Sequence, residues 1–274
     1  MISTVARVHE PLEAPHAIEV TADPNGLAYD RHTQTLYVAD GSGAVFAVEN
    51  GRPRRIATID AAGCSENQLG GVTVDRDGAL YVARLGHGRA GAIFAITLRG
   101  QITQLRGMAV NPWRLGVAYD AGEHALYTTS YDKVAATPCN GAVERIDLAT
   151  GCVTAVTEGM DKPVGVVRLG SGLVVTDARR GAVLRIDLAG GRAVRCVELA
   201  TGIDRPDSIA VCGDAVVLTT FCVATGIGSV RKLWLDGTVA TIARGSWEPR
   251  GIASDGDRTF VALRRTSRIL VIRH

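Results

Sequence analysis

The stretch NGLAYDRHTQTLYVAD, from Asn25 to Asp40, joins two apolar runs through an Asp and a short polar turn, and it recurs along the chain. It returns as GGVTVDRDGALYVAR from Gly70, LGVAYDAGEHALYTTS from Leu115 and VGVVRLGSGLVVTD from Val164. The last two copies are DSIAVCGDAVVLTT from Asp207 and RGIASDGDRTFVAL from Arg250. The small residue that opens each copy is Gly26, Gly71, Gly116, Gly165, Ser208 and Gly251, at intervals of 45, 45, 49, 43 and 43 residues. A third apolar run follows each copy, for example GAVFAVE from Gly43 and GAVLRIDL from Gly181. A fourth, such as RRIATI or TVATIA, usually comes next. Short runs rich in Val, Ile, Thr and Tyr, split by Gly and Asp turns, predict strands.

Four strands repeated every ~40–50 residues describe a propeller blade. Six such units fill the chain, so the expected fold is all-β, a six-bladed β-propeller of four-stranded antiparallel blades. The expected organisation is a single domain over residues 1–274. The last unit ends on its third strand at His274. A strand from the N-terminus should complete it, because an open ring would leave two unpaired sheet edges. Two segments qualify, TVARVH from Thr4 and AIEVT from Ala17, and the sequence leaves the choice open.

The 274 residues are 46% hydrophobic and 21% charged, with net charge +2. That composition fits a globular chain and argues against nucleic acid as the main partner. No apolar run reaches the ~18 residues of a membrane-spanning helix. The opening segment has no signal-peptide pattern. The expected setting is therefore the cytoplasm, and the expected state a monomer that takes a small-molecule substrate. The basic residues are strongly skewed, with 27 Arg and three Lys, at Lys133, Lys162 and Lys232. Codon bias accounts for such a skew; planar forks for carboxylate or phosphate are the sharper reading. The six cysteines form no CxxC and have no His at zinc spacing, which points away from a transition-metal site.

In a propeller, the loops leading into the innermost strands and those joining second to third strands converge on one mouth of the central channel. Arg114, Arg205 and Arg250 fall in the first set, and Arg84, Arg179 and Arg264 in the second. Together they would form a positive funnel for a small anion, or else pair with acidic rim residues. Trp113, Tyr131 and Trp247 would wall the site or plug the channel. His87, in the Gly-rich RLGHGRAG loop, is a candidate general acid or base or a solvated loop residue. Asp207, set just before an innermost strand, and Glu66 are the candidate proton-transfer carboxylates, and Asn25 a candidate substrate contact.

Through PNGLAYD, KPVGVVRLGSGLVVTD and RPDSIAV, the chain resembles the gluconolactonase and regucalcin family and the related NHL-type propellers over its whole length. The resemblance implies a lactone or ester hydrolase. In that family a divalent ion is held by a Glu, two Asn and an Asp, and the Asp also serves as general base. Asp207 stands where the family's Asp precedes its small residue, and Asn25 where its Glu would be. The blade 4 position is Val164 and the blade 3 position Arg114 or Leu115, none of which suits a hard cation. The resemblance thus implies at most a weakly held calcium or magnesium near Asn25 and Asp207. The streptogramin lyase group, with its His, Glu and magnesium, is a looser likeness without a matching His–Glu pair in the last blades. A metal-independent lyase or isomerase using Asp, His and Arg, and a non-catalytic binding propeller, are the alternatives. An open, deep mouth with a few convergent charges would favour an enzyme.

Overall fold

The computed structural model describes residues 16–20, 23–61, 63, 67–133 and 139–274. Six four-stranded antiparallel sheets stand around a central channel. Their innermost strands are Pro24–Asp30, Leu69–Val74, Trp113–Asp120, Pro163–Leu169, Ile209–Cys212 and Pro249–Ser254, one for each of blades 1 to 6. The sixth blade takes its outer strand from His16–Glu19, which pairs with Arg268–Arg273 through Ala17 opposite Leu270 and Ile18 opposite Ile269. The Ala17 segment therefore closes the ring; the Thr4 segment lies outside the described residues.

The second strand of each blade is buried almost throughout, as in Thr35–Asp40 and Gly172–Asp177, because neighbouring blades cover both its faces. Such strands read as continuous apolar runs rather than alternating ones. Outer strands such as Ile102–Gln104 are exposed. The core is divided among clusters that each straddle a blade boundary. Leu36, Val38 and Phe46 of blade 1, for example, pack on Phe260, Ala262 and Val271 of blade 6. The repeated Asp also has a local cause. Asp30, Asp75, Asp120 and Asp255 each accept a backbone N–H two residues on, at 2.8–3.0 Å, and so close the turn after the innermost strand. Blades 4 and 5 lack that Asp and turn at Gly170 and Gly213, with φ of 58° and 66°.

The small opening residues mark the places where adjacent innermost strands come closest. A Cβ on Gly26 would lie 1.9 Å from the Gly70 carbonyl oxygen, and one on Gly251 would lie 2.2 Å from that of Asn25. Second strands reinforce these contacts on one side of the ring. Thr129 Oγ1 donates to the Val164 carbonyl, Thr176 Oγ1 to that of Asp207, and Thr219 Oγ1 to that of Arg250. The innermost strands of blades 1, 2, 3, 4 and 6 each carry a register shift beside the small residue, for example between Arg114 and Val117. Bulges of this kind re-aim a side chain. Here they turn the residue before the small one toward the channel.

Candidate functional site

Those residues are Asn25, Gly70, Leu115, Val164, Asp207 and Arg250, and all six line one cavity at the channel mouth. The cavity has a volume of about 510 Å³. Above this ring stand side chains from the converging loops, and they divide it into two unlike halves.

One half is a chain of paired ions. Arg250 Nη1 lies 3.0 Å from Asp207 Oδ2, and Arg250 Nη2 lies 3.0 Å from Glu248 Oε1. Arg264 Nη1 reaches the same Glu248 oxygen at 2.8 Å. Asp23 accepts the Arg265 backbone N–H at 2.6 Å.

The other half joins aromatic rings to cations. His87 sits edge-on to Trp113 with ring centroids 4.6 Å apart, and Trp113 lies 5.9 Å from Tyr131. Lys133 Nζ is 4.9 Å above Trp113 and Lys162 Nζ 5.6 Å above Tyr131, both within cation–π range. Flanking Gly86 and Gly88 let the chain turn so that His87 adopts φ 47° and ψ 39°. Buried Asp177 fixes the Lys162 backbone, accepting the N–H of Asp161 at 2.8 Å and of Lys162 at 2.9 Å. Burial lowers the Lys162 ammonium below its ordinary range. Asp207 opposes that shift, and Arg205, Arg250 and Arg179 add to it. Burial likewise raises the Tyr131 hydroxyl. Neither Lys133, Lys162 nor Arg205 makes an ion pair within 4 Å among the described residues.

Of the residues singled out from the sequence, Asp207, His87, Asn25, Trp113, Tyr131, Arg205, Arg250 and Arg264 line this cavity. Glu66 lies outside the described residues. Arg84 is 3% exposed and stands behind the wall. It donates to the Ala90 and Asp60 carbonyls at 2.8 Å and stacks on Phe94, so it ties loops together. Arg114 is fully buried against Glu144 and the Ala109 carbonyl. The bulge sends Leu115 to the channel and Arg114 away from it. Trp247 packs in the seam of blades 5 and 6, against Gly245 and Gly228. Arg179 is exposed and outside the lining, although its charge is felt at Lys162 and Tyr131. Lys133, Lys162 and Glu248 stand in loops recognisable from the sequence, but no local phrase marks them. The available signal was the rarity of lysine, since two of the three lysines are here.

The donors do not fit a tightly held divalent ion. Among the ring positions Asn25 and Asp207 alone offer side-chain oxygens, and Arg250 already occupies the Asp207 carboxylate. Asn25 gives its Nδ2 to the Leu69 carbonyl, so its neutral Oδ1 is the one oxygen it could offer a cation. Among the described residues no group of three His, Cys, Asp or Glu could hold a metal.

Fold and site together define an all-β six-bladed propeller with a polar, cation-rich cavity at its channel mouth. No family model and no curated protein sequence matches the chain. Its solved structural neighbours include gluconolactonase- and regucalcin-like propellers, the fold implied by the repeated phrases. A gluconolactonase of Xanthomonas campestris superposes with TM-score 0.76 at 15% identity, over 96% of this chain and 91% of that one. The calcium-binding protein regucalcin of Agrobacterium tumefaciens gives 0.72 at 14%, over 96% and 94%. The virginiamycin B lyase of Staphylococcus aureus gives 0.66 at 14%, over 95% and 99%. At these identities the likeness is one of fold.

Proposed function

We propose that the protein is an enzyme acting on a small organic anion in the channel mouth, and that it opens a lactone or cleaves an ester without a tightly bound metal. The observation that carries this reading is the division of the cavity. Lys133, Lys162 and Arg205, which make no ion pair among the described residues, give one side a surplus of positive charge beside an aromatic wall, while the other side presents a carboxylate. A substrate carboxylate would lie on the cations and its apolar part on Trp113 and Tyr131. Asp207, held in place by Arg250, would accept a proton from the attacking water. Arg205 and Arg264 would stabilise the developing oxyanion, and His87 would protonate the leaving oxygen. A depth of this kind with convergent charges supports an enzyme over a flat scaffold. The gluconolactonase named above lends the lactone some support through shared architecture.

The test is a panel of lactones and esters, each bearing a carboxylate or its neutral amide, assayed with a chelator present. Carboxylate-bearing members should be hydrolysed with kcat/KM at least ~10-fold above their neutral counterparts, as one screened charge contact of about 1.4 kcal/mol requires. No hydrolysis across the panel, or a preference for the neutral members, would overturn the reading.

A further inference from the structure

The chain uses Arg for 27 of its 30 basic side chains, yet two of its three lysines line the central cavity. Both side chains carry a positive charge, but only an amine readily loses its proton and acts as a nucleophile. Lys162 is placed for that difference. Its backbone is clamped on both sides of the peptide, with the N–H given to buried Asp177 and the carbonyl accepting from Ala178 at 2.9 Å. Its Nζ rests over the face of Tyr131, a ring only 3% exposed. No carboxylate comes within 4 Å of Nζ among the described residues, and Arg250 holds that of Asp207. The charged groups around it are Asp207 on one account and Arg205, Arg250 and Arg179 on the other. A desolvated lysine next to other cations gives up its proton more readily than an ordinary one.

We propose that Lys162 is a nucleophilic amine that forms an imine with the carbonyl carbon of a small 2-oxo carboxylate. Arg205 and Lys133 line the same cavity and offer positive charge to the carboxylate of such a compound. The ammonium first gives a proton to water or to Asp207. Neutral Nζ then bonds to the carbonyl carbon. The two remaining amine hydrogens leave with the carbonyl oxygen as water, and the imine nitrogen takes one proton from solvent. No oxidant or reductant enters. The lowered ammonium range of Lys162 agrees with this role. The inference shares with the proposed function the binding of a small organic anion, but it does not depend on hydrolysis.

The experiment uses the full chain, glyoxylate as the probe and sodium borohydride to trap any imine, with peptide mapping of the reduced carboxymethyl adduct. Lys162 should be labelled at least ~10-fold faster than Lys133 and Lys232, as an activated nucleophilic amine is over ordinary ones. The pH midpoint of labelling should fall below the ordinary lysine value of about 10.4. Lys162→Arg should abolish the adduct while the other two lysines label as before. Equal labelling of the three lysines, no adduct at Lys162, or a midpoint at the ordinary value would overturn the proposal. The pH profile of the wild-type chain decides the matter even if the variant fails to fold. Lactone hydrolysis measured on the same preparations separates the two ideas. An adduct without hydrolysis removes the hydrolase reading, and hydrolysis without an adduct removes the imine.

Discussion

Arg250 grips Asp207 across the seam between blades 6 and 5, Nη1 to Oδ2 at 3.0 Å, with the two side chains 25% and 27% exposed. The contact is open enough to be only a rim salt bridge, which would contribute about 0–1 kcal/mol to stability. It also holds a carboxylate in a fixed direction at the cavity floor. The two roles predict different kinetics. If Asp207 accepts the proton, Asp207→Asn lowers kcat by ~100-fold or more, the usual loss for a general base. Arg250→Ala then chiefly raises KM. Steady-state kinetics on the preferred substrate would check this, and near-wild-type kcat and KM in Asp207→Asn would leave the pair as a structural tie.

Arg114 illustrates a cation that the fold has taken over. It is fully buried, paired to Glu144 and to the Ala109 carbonyl, beneath the wall that carries Leu115. Arg114→Met should destabilise the protein by about 3 kcal/mol, the lower end for breaking a buried pair, because Glu144 keeps some contact with water. Denaturant unfolding would measure the loss. KM for the anionic substrate should change little in the surviving folded fraction, and a large KM effect without loss of stability would return Arg114 to the site.

The contrast between Arg114 and Leu115 shows where reading the sequence stopped. The blade count, the strand order and the ring closure follow from a period that six copies repeat, and short-range chemistry fixes each turn. Which residue of a loop faces the channel depends on a one-residue bulge, and a slip of one residue exchanges the two faces of a strand. Nothing in NPWRLG announces that bulge, so Arg114 and Leu115 could not be told apart. Trp247 lies in the loop the repeat assigns it, but its ring fills the space left by Gly245 and Gly228, 17 residues apart along a hairpin. The chemical setting of Lys162 escaped for a different reason. It is assembled from blades 3 to 6, by Tyr131, Asp177, Asp207, Arg205 and Arg250, and no window of sequence contains them together.

Gly26 and Gly51 separate steric need from backbone need. At Gly26 an added methyl would lie 1.9 Å from a backbone oxygen of the next blade, which cannot move without shifting its strand. Gly51 has open space around it but φ of +74°. Gly26→Ala should therefore cost about 3 kcal/mol or more. Gly51→Ala should cost only the ~1–2 kcal/mol of a left-handed residue. Thermal melts of the two variants would rank them, and an equal effect would refute the tight packing of the channel ring.

Asp120 should shape the acid limb of stability. Burial alone would raise its carboxyl. The Arg168 guanidinium at 2.6 Å and the N–H groups of Glu123 and Gly122 outweigh burial and hold it below the ordinary value. A carboxyl lowered in the folded state stabilises the protein above the unfolded value of about 3.9, and that contribution is lost as pH falls through the lower folded value. Asp120→Asn should lower Tm by about 3–6 °C at pH 7 and by less at pH 3. A deficit that stays constant across this range would assign the effect to shape rather than to charge.

The ring closure makes a demand on the N-terminal strand that no other outer strand carries. Ala17 and Ile18 pair with Leu270 and Ile269, and the Val20 N–H reaches the Ser267 carbonyl at 2.7 Å. Ile18 and Val20 also pack on the cluster shared by blades 6 and 1, where Val20 is 4% exposed. Deleting residues 1–20 therefore removes a ladder and part of a core, and it bares the edge of Arg268–Arg273, whose central residues are apolar. An exposed apolar edge of that kind recruits another chain. The truncated protein should lose at least ~10 °C in Tm, or unfold without a cooperative transition, since several kcal/mol are removed at once. At higher concentration it should form edge-to-edge dimers visible by size-exclusion chromatography. Cooperative melting at the wild-type temperature, with a single monomeric peak, would show that the ring does not need its closing strand.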